Sequence, residues 1–318
     1  MPEQRPFRFG AQVNSVTTGG AWRELARRVE DLGYSTLFLS DHYLDRNLPD
    51  AAVMSVAPIA AMATAAAVTS TLRIGCRVFC IDYHVPAVLA KETATLDLLS
   101  DGRLEVGIGA GWSAGEYGAM GLTFADAPER VTKLEETVAL LKAHWSGEDI
   151  EVDGRHIQVH GYAGIPLPVQ RPHPPLMIGG GKKRVLSLAA READIVSIAN
   201  VPFKPINEDG LTPEEVARAR LGFVREAAGE RFGALDIESS PYYAEITADH
   251  DRALGWVSKK MNCPTEGLID HPNVLIGTPS EVIDRLRARR EMFGVNYLTV
   301  PQPLIESFAP IAAELVGQ

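Results

Sequence analysis

The chain has 318 residues, 46% of them hydrophobic, with a formal charge of -10 at neutral pH. That length buries either one large α/β barrel or two ordinary domains, and the acidic balance excludes a general nucleic-acid binder. No apolar run is long enough to span a bilayer, and the first six residues lack the apolar core of a signal peptide, so a cytoplasmic protein with no membrane partner is expected.

Residues 7–13 alternate apolar and polar and read as a first strand. After the Gly19-Gly20 break, 22–32 is apolar at helical spacing and stops at Gly33. A buried strand, 35–40, then runs straight into Asp41-His42-Tyr43. A polar loop at 45–50 separates it from an alanine-rich helix over 56–69. The third unit repeats the scheme, with a strand at 72–79 and a helix at 86–99 that has Pro86 in its first turn. Ser100-Asp101-Gly102 turns the chain into a fourth strand, 103–108. A helix over 128–145 follows Asp126.

Here the repeat is interrupted. Asp153-Gly154 lies between two alternating runs within 150–159, a strong hairpin signal, and the proline-rich 166–175 reads as an extended surface connection. Strands are then expected at 175–178, 194–199, 236–246 and 295–300. Helices are expected after Arg184, at 213–228, from Thr278-Pro279-Ser280 to Gly294, and at 303–315. The segment 249–273 reads as irregular. Eight strand signals alternating with helices make a parallel sheet, and eight is the number that closes a TIM-like (β/α)8 barrel. An open doubly wound sheet is the alternative. The hairpin insertion between units four and five, and polar residues after the strands, favour the barrel, which would make 1–318 a single domain.

A barrel places its site at the carboxyl ends of its strands. Those ends carry Asp41 and His42, then Cys80, Ile81 and Asp82, then the run from Gly109 to Glu116, then Gly179, Gly180, Gly181 and Lys182, then Asn200. The run Gly107-Ile-Gly109-Ala110-Gly111-Trp112 is GxGxG rather than GxGxxG, and no acidic strand end follows about 20 residues on, so a nicotinamide fold is not indicated. Glycines there let something flat or anionic approach the backbone. The Gly179-Gly180-Gly181 turn opens a helix, where outward-pointing amides and the helix dipole suit a phosphate. An ordinary strand-to-helix turn with solvated lysines explains it equally well.

His42 beside Asp41 suits a general acid or base, although a histidine at a strand end is more often just a hydrogen-bonded loop residue. Glu116 reads as an acid or a substrate contact, or more commonly as a solvated loop carboxylate. Trp112 reads as a stacking platform or as core. His84 and His156 have weaker claims. The three cysteines form no disulfide framework, and Cys76 and Cys80, roughly 13 Å apart along one strand, neither bridge nor share a metal. No metal-ligand spacing is present, so no metal is expected.

Several segments together resemble the luciferase-like monooxygenase family, in particular its branch using the deazaflavin coenzyme F-420. They are Phe9-Gly-Ala-Gln12, Ser40-Asp41-His42, the stretch from Pro86 to Arg103, Gly107 to Trp112, Pro175 to Gly181 and Gly277-Thr-Pro-Ser280. The resemblance implies a TIM-like barrel with an insertion, a homodimer, and hydride transfer between the deazaflavin and a small organic substrate. It also implies a bulge after the third strand, with a non-proline cis peptide near Cys80-Ile81 against the cofactor ring. His42 and Asp41 would lie at the ring, with Asp41 fixing the His42 tautomer, and Glu116 aligns with catalytic glutamates of some relatives. Gly109, Ala110, Gly111 and Trp112 would form the floor, and Gly179 to Gly181 with Lys182 would take the phosphate. The segments 43–50, 200–211 and 249–273 would select the substrate. Departures from the family pattern stand at Arg77 and at His84-Val85. An FMN-dependent monooxygenase using reduced flavin and oxygen is the runner-up, and a non-catalytic flavin-binding protein comes from another class.

Overall fold

The computed structural model describes residues 5–43 and 56–318. The polar loop expected at 45–50 lies outside the described residues. Eight strands close a parallel barrel: β1 (Arg8–Gln12), β2 (Thr36–Leu39), β3 (Arg73–Cys80), β4 (Leu104–Gly109), β7 (Leu176–Gly180), β8 (Ile195–Ile198), β9 (Asp236–Ser239) and β12 (Val295–Pro301). Around the barrel the order is β1-β12-β9-β8-β7-β4-β3-β2. β2 and β4 read as unbroken apolar runs because both faces of a parallel barrel strand are covered, and every residue of each is buried.

By internal contacts the chain forms two compact units, residues 12–31 and 36–179 in one, and 1–11, 32–35 and 180–318 in the other. In the first, α1 (Gly19–Asp31), α2 (Pro58–Ala66), α3 (Pro86–Leu99), α4 (Ala114–Ala119) and α5 (Ala127–Ser146) follow their strands. α2 and α3 begin on prolines, whose missing N–H is an orphan at a helix start in any case. Asp126 caps α5 by accepting from the Glu129 amide. Glu30 at the end of α1 accepts from the amides of Ser70, Thr71 and Leu72, which fixes the entry to β3.

The expected hairpin is present as β5 (Asp149–Asp153) paired antiparallel with β6 (Gln158–Ala163). Its turn is seated on α5, where the Glu136 carboxylate accepts from the amides of Arg155, His156 and Ile157. The proline-rich connection contains two cis X–Pro bonds, Ile165–Pro166 and Arg171–Pro172.

In the second unit, α6 (Lys183–Glu192), α7 (Pro213–Ala228), α8 (His250–Met261), α9 (Pro279–Phe293) and α10 (Ile305–Leu315) accompany the later strands. The Thr278 start is a full capping box with Glu281, and Thr212 with Glu215 forms another. Two expectations need correction. The strand expected over 236–246 is β9 plus a separate strand, β10 (Tyr243–Ile246), which leaves the barrel to pair in parallel with β11 (Val274–Gly277). The segment 249–273 is not irregular throughout, because Asp249 caps α8 and Asn262 ends it in the left-handed conformation. Among the described residues no helix is long and apolar enough to cross a membrane.

Candidate active site

Two carboxylate–imidazole pairs stand at the carboxyl ends of β2, β3 and β4, and they are cross-wired. Asp41 is buried, and its Oδ2 accepts from the Cys80 amide at 3.0 Å and meets His84 Nε2 at 2.8 Å. His42 turns instead to Glu116, with Nδ1 2.8 Å from Oε1 and 3.1 Å from Oε2. Asp41 therefore does not hold the His42 tautomer as expected. Neighbouring side chains leaving a strand point to opposite sides, so the two find different partners. His84, a weak candidate from sequence, is drawn in, and Asp41 Oδ1 is buried with no hydrogen-bond partner among the described residues.

Glu116 lies in the first turn of α4 and is buried, not the solvated loop carboxylate that its setting suggested. Its second donor is Tyr83, whose hydroxyl reaches Oε2 at 2.9 Å from a 3₁₀ turn that directly follows β3. Burial, then Cys80 and the bond to Glu116, pushes the Tyr83 phenol well above its ordinary range, so it remains a donor. Trp112 is 71% exposed and presents its edge to His42, with ring centroids 5.7 Å apart. It is not core.

Beside these pairs, Cys80 Sγ lies 3.2 Å from the Tyr117 hydroxyl, which donates to Asp82 at 2.8 Å. Lys133 closes the chain on the other oxygen of Asp82 at 2.6 Å. Burial pushes the Cys80 thiol up, against the pull of Tyr117, so it is a neutral, packed group. Ile81 is buried in the same turn. Ala110 offers its carbonyl to Arg130 at 3.1 Å.

The bulge expected after the third strand lies within it. β3 shifts register against β4 between Cys76 and Phe79, and the non-proline cis peptide is Arg77–Val78, not one near Cys80–Ile81. That placement explains the glycines of β4. A Cβ on Gly107 would stand 2.1 Å from the Cys76 carbonyl oxygen, and one on Gly109 would stand 2.9 Å from Val78 Cγ2. Gly111 has φ +75° and would meet the Tyr117 hydroxyl at 2.1 Å. What approaches these glycines in the structure is the protein itself.

Gly179 and Gly180 end β7, and α6 starts at Lys183 after Lys182, with no side chain capping its amides. Gly180 is packed on Val185, where a Cβ would come within 2.4 Å. Lys183 is paired with Glu226 at 3.1 Å. The charge turned toward this bend comes from Arg220 on α7, whose guanidinium carbon lies 3.2 Å from the Cβ position of Gly181. Its hydrogen bonds go to the carbonyls of Ala199 and Asn200.

The model of the family described as luciferase-like monooxygenase matches residues 6–220. The chain belongs to the luciferase-like monooxygenase family. An FMNH(2)-dependent dimethylsulfone monooxygenase of Pseudomonas putida is 34% identical over 34% of this chain and 30% of its own length. An F420-dependent glucose-6-phosphate dehydrogenase of Kineococcus radiotolerans is 31% identical over 73% of this chain and 66% of its own length. The matches thus span less than a third of the first relative's length and just under two thirds of the second's. The coenzyme F420-dependent tetrahydromethanopterin reductase of Methanopyrus kandleri has the same fold, with TM-score 0.76 at 18% identity over 98% of this chain and 99% of that one.

In this luciferase-like chain, sequence reasoning missed Tyr83 and Arg220 and undervalued His84. Tyr83 stood one residue from His84 at the end of the third strand, which was the available signal. Arg220 comes from a helix face and carried none. The expected substrate-selecting segments 200–211 and 249–273 enclose a cavity of about 320 Å³, bounded by Phe203, Lys204, Cys263, Leu268 and His271. None of Asp41, His42 or Glu116 lines it.

Proposed function

We propose that the protein is an oxidoreductase that transfers a hydride between coenzyme F-420 and a small organic substrate. The observation that carries this reading is the His42–Glu116 pair. Glu116 engages Nδ1, and Nε2 has no hydrogen-bond partner among the described residues, which suits a nitrogen that gives or takes the proton balancing a hydride. When bound, the deazaflavin supplies the hydride acceptor or donor.

The chain's own groups fit such a ligand. Asp41 Oδ1 is an orphaned buried acceptor suited to an N–H on the edge of a ring. Trp112 offers an exposed indole beside His42, and Cys80, Ile81, Gly109, Ala110 and Gly111 would bound the ring. The uncapped start of α6 after Gly179, Gly180, Gly181 and Lys182, with Arg220 alongside, suits a phosphate. The protein's part is then orientation, water exclusion and the proton at His42. A homodimer belongs to the same proposal.

The F420-dependent relative, matched over 73% of this chain, supports the deazaflavin. The dimethylsulfone monooxygenase, matched over 34%, supports the second reading, an FMN-dependent oxygenation. Titrating the purified protein with F-420 and, separately, with FMN tests both. Preferential deazaflavin binding is expected. Preference for FMN would move the reading to oxygenation, and binding of neither would point to a non-catalytic member.

A further inference from the structure

The Tyr83 hydroxyl has no part in the reading above, yet it contacts the same carboxylate as His42. Glu116 is 4% exposed, and its described side-chain partners are His42 and Tyr83. The Tyr83 hydroxyl, its pKa raised by burial, donates to Oε2 at 2.9 Å, so that oxygen accepts. Accepting on Oε2 holds the Glu116 carboxyl group in one orientation, with Oε1 2.8 Å from Nδ1, the arrangement in which an Nδ1–H donates to it. We propose that Tyr83 is a positioning residue: by donating to Glu116 it holds His42 in the Nδ1–H tautomer and leaves Nε2 bare for the ligand. This rests on the assignment of His42 as the proton carrier.

The alternative state shows why the hydroxyl matters. Without it, Oε2 is a buried carboxylate oxygen sharing one imidazole, a costly arrangement. Glu116 then either rotates toward water or takes up a proton. Rotation removes the acceptor from Nδ1. A protonated Glu116 donates to Nδ1 and drives the hydrogen to Nε2. Either way the single tautomer is lost. The Tyr83 ring has a separate task, packing edge-on against Tyr43 and Tyr117 at centroid distances of 5.4 and 5.2 Å, and phenylalanine keeps it.

The test uses the full chain without cofactor, labelled with ¹⁵N, at about pH 8.5, above the ordinary imidazole range. Long-range ¹H–¹⁵N correlations report the tautomer of each histidine, and the His42→Gln spectrum assigns His42. The wild type should show His42 as Nδ1–H, and Tyr83→Phe should convert it to a mixture or to Nε2–H. A wild-type Nε2–H tautomer overturns the proposal without any variant, as does a Tyr83→Phe spectrum identical to wild type. In turnover, Tyr83→Phe should lower kcat about tenfold with KM and cofactor affinity unchanged, the size of one charged hydrogen bond. A change confined to KM or to Tm would mean a merely structural role. If the wild type binds no redox cofactor, the functional reading fails while the tautomer result stands or falls by itself.

Discussion

His42 touches Glu116 through Nδ1, and deleting its ring leaves Asp41 with both of its donors, His84 and the Cys80 amide. His42→Ala should therefore lower turnover by about 10²–10⁴ while the affinity for cofactor changes little. Steady-state kinetics beside a binding titration check this, and unchanged turnover would remove His42 from the mechanism. At this scale the sequence showed which residues gather but not how they pair. Asp41, His42 and Glu116 are identifiable as strand-end residues, whereas the exchange of partners between Asp41 and His42 depends on where His84 and Tyr83 arrive from β3. Spacing along the chain carries no record of that.

Between elements, Glu30 of α1 ties down the entry to β3. Burial works to raise the Glu30 carboxyl, but the amides of Thr71, Leu72 and Ser70 outweigh it and bring the pKa down to about 2. A depressed carboxyl contributes stability above its unfolded pKa and loses it as pH falls through the folded one. Glu30→Gln should thus melt earlier than wild type at neutral pH, by about 1–2 kcal/mol, with the gap closing between the ordinary carboxylate range and about pH 2. Equal melting at pH 7 would refute the link.

The β4 glycines make a second test. Gly107→Ala meets backbone and should not be rescued, while Gly109→Ala meets only the Val78 side chain closely and should recover much of its stability in a Gly109→Ala/Val78→Ala double variant. Thermal melts of the four proteins decide it. Strand order, helix caps and the Asp153-Gly154 hairpin were legible because each has a local cause. The register shift inside β3 was not, since Arg77-Val78 has no turn residue to mark it, and α8 was missed because only Ala253 and Val257 are buried along it.

For the molecule as a whole, the decisive join is around Asp236. This buried carboxylate takes Arg5 at 2.8 Å and Arg8 at 2.9 Å from the first residues of the chain, and Asn296 of β12 donates to it at 2.8 Å. Asp236→Ala should strand these partners and cost about 3 kcal/mol, read as an earlier urea midpoint, and an unchanged midpoint would show that the join is ornamental. The same region brings the two ends of the sequence side by side. β1 neighbours β12 in the barrel, the Phe7 amide donates to the Gln318 carbonyl at 3.2 Å, and the Gly317 amide donates to the Phe7 carbonyl at 3.1 Å. During synthesis, then, β1 can meet β2 early, but its other edge waits for β12, about 280 residues further along the chain. At about 5–20 residues per second that wait is roughly 15–60 s, and for its duration the side of β1 that faces β12 is an unpaired edge that a nascent-chain chaperone has reason to cover.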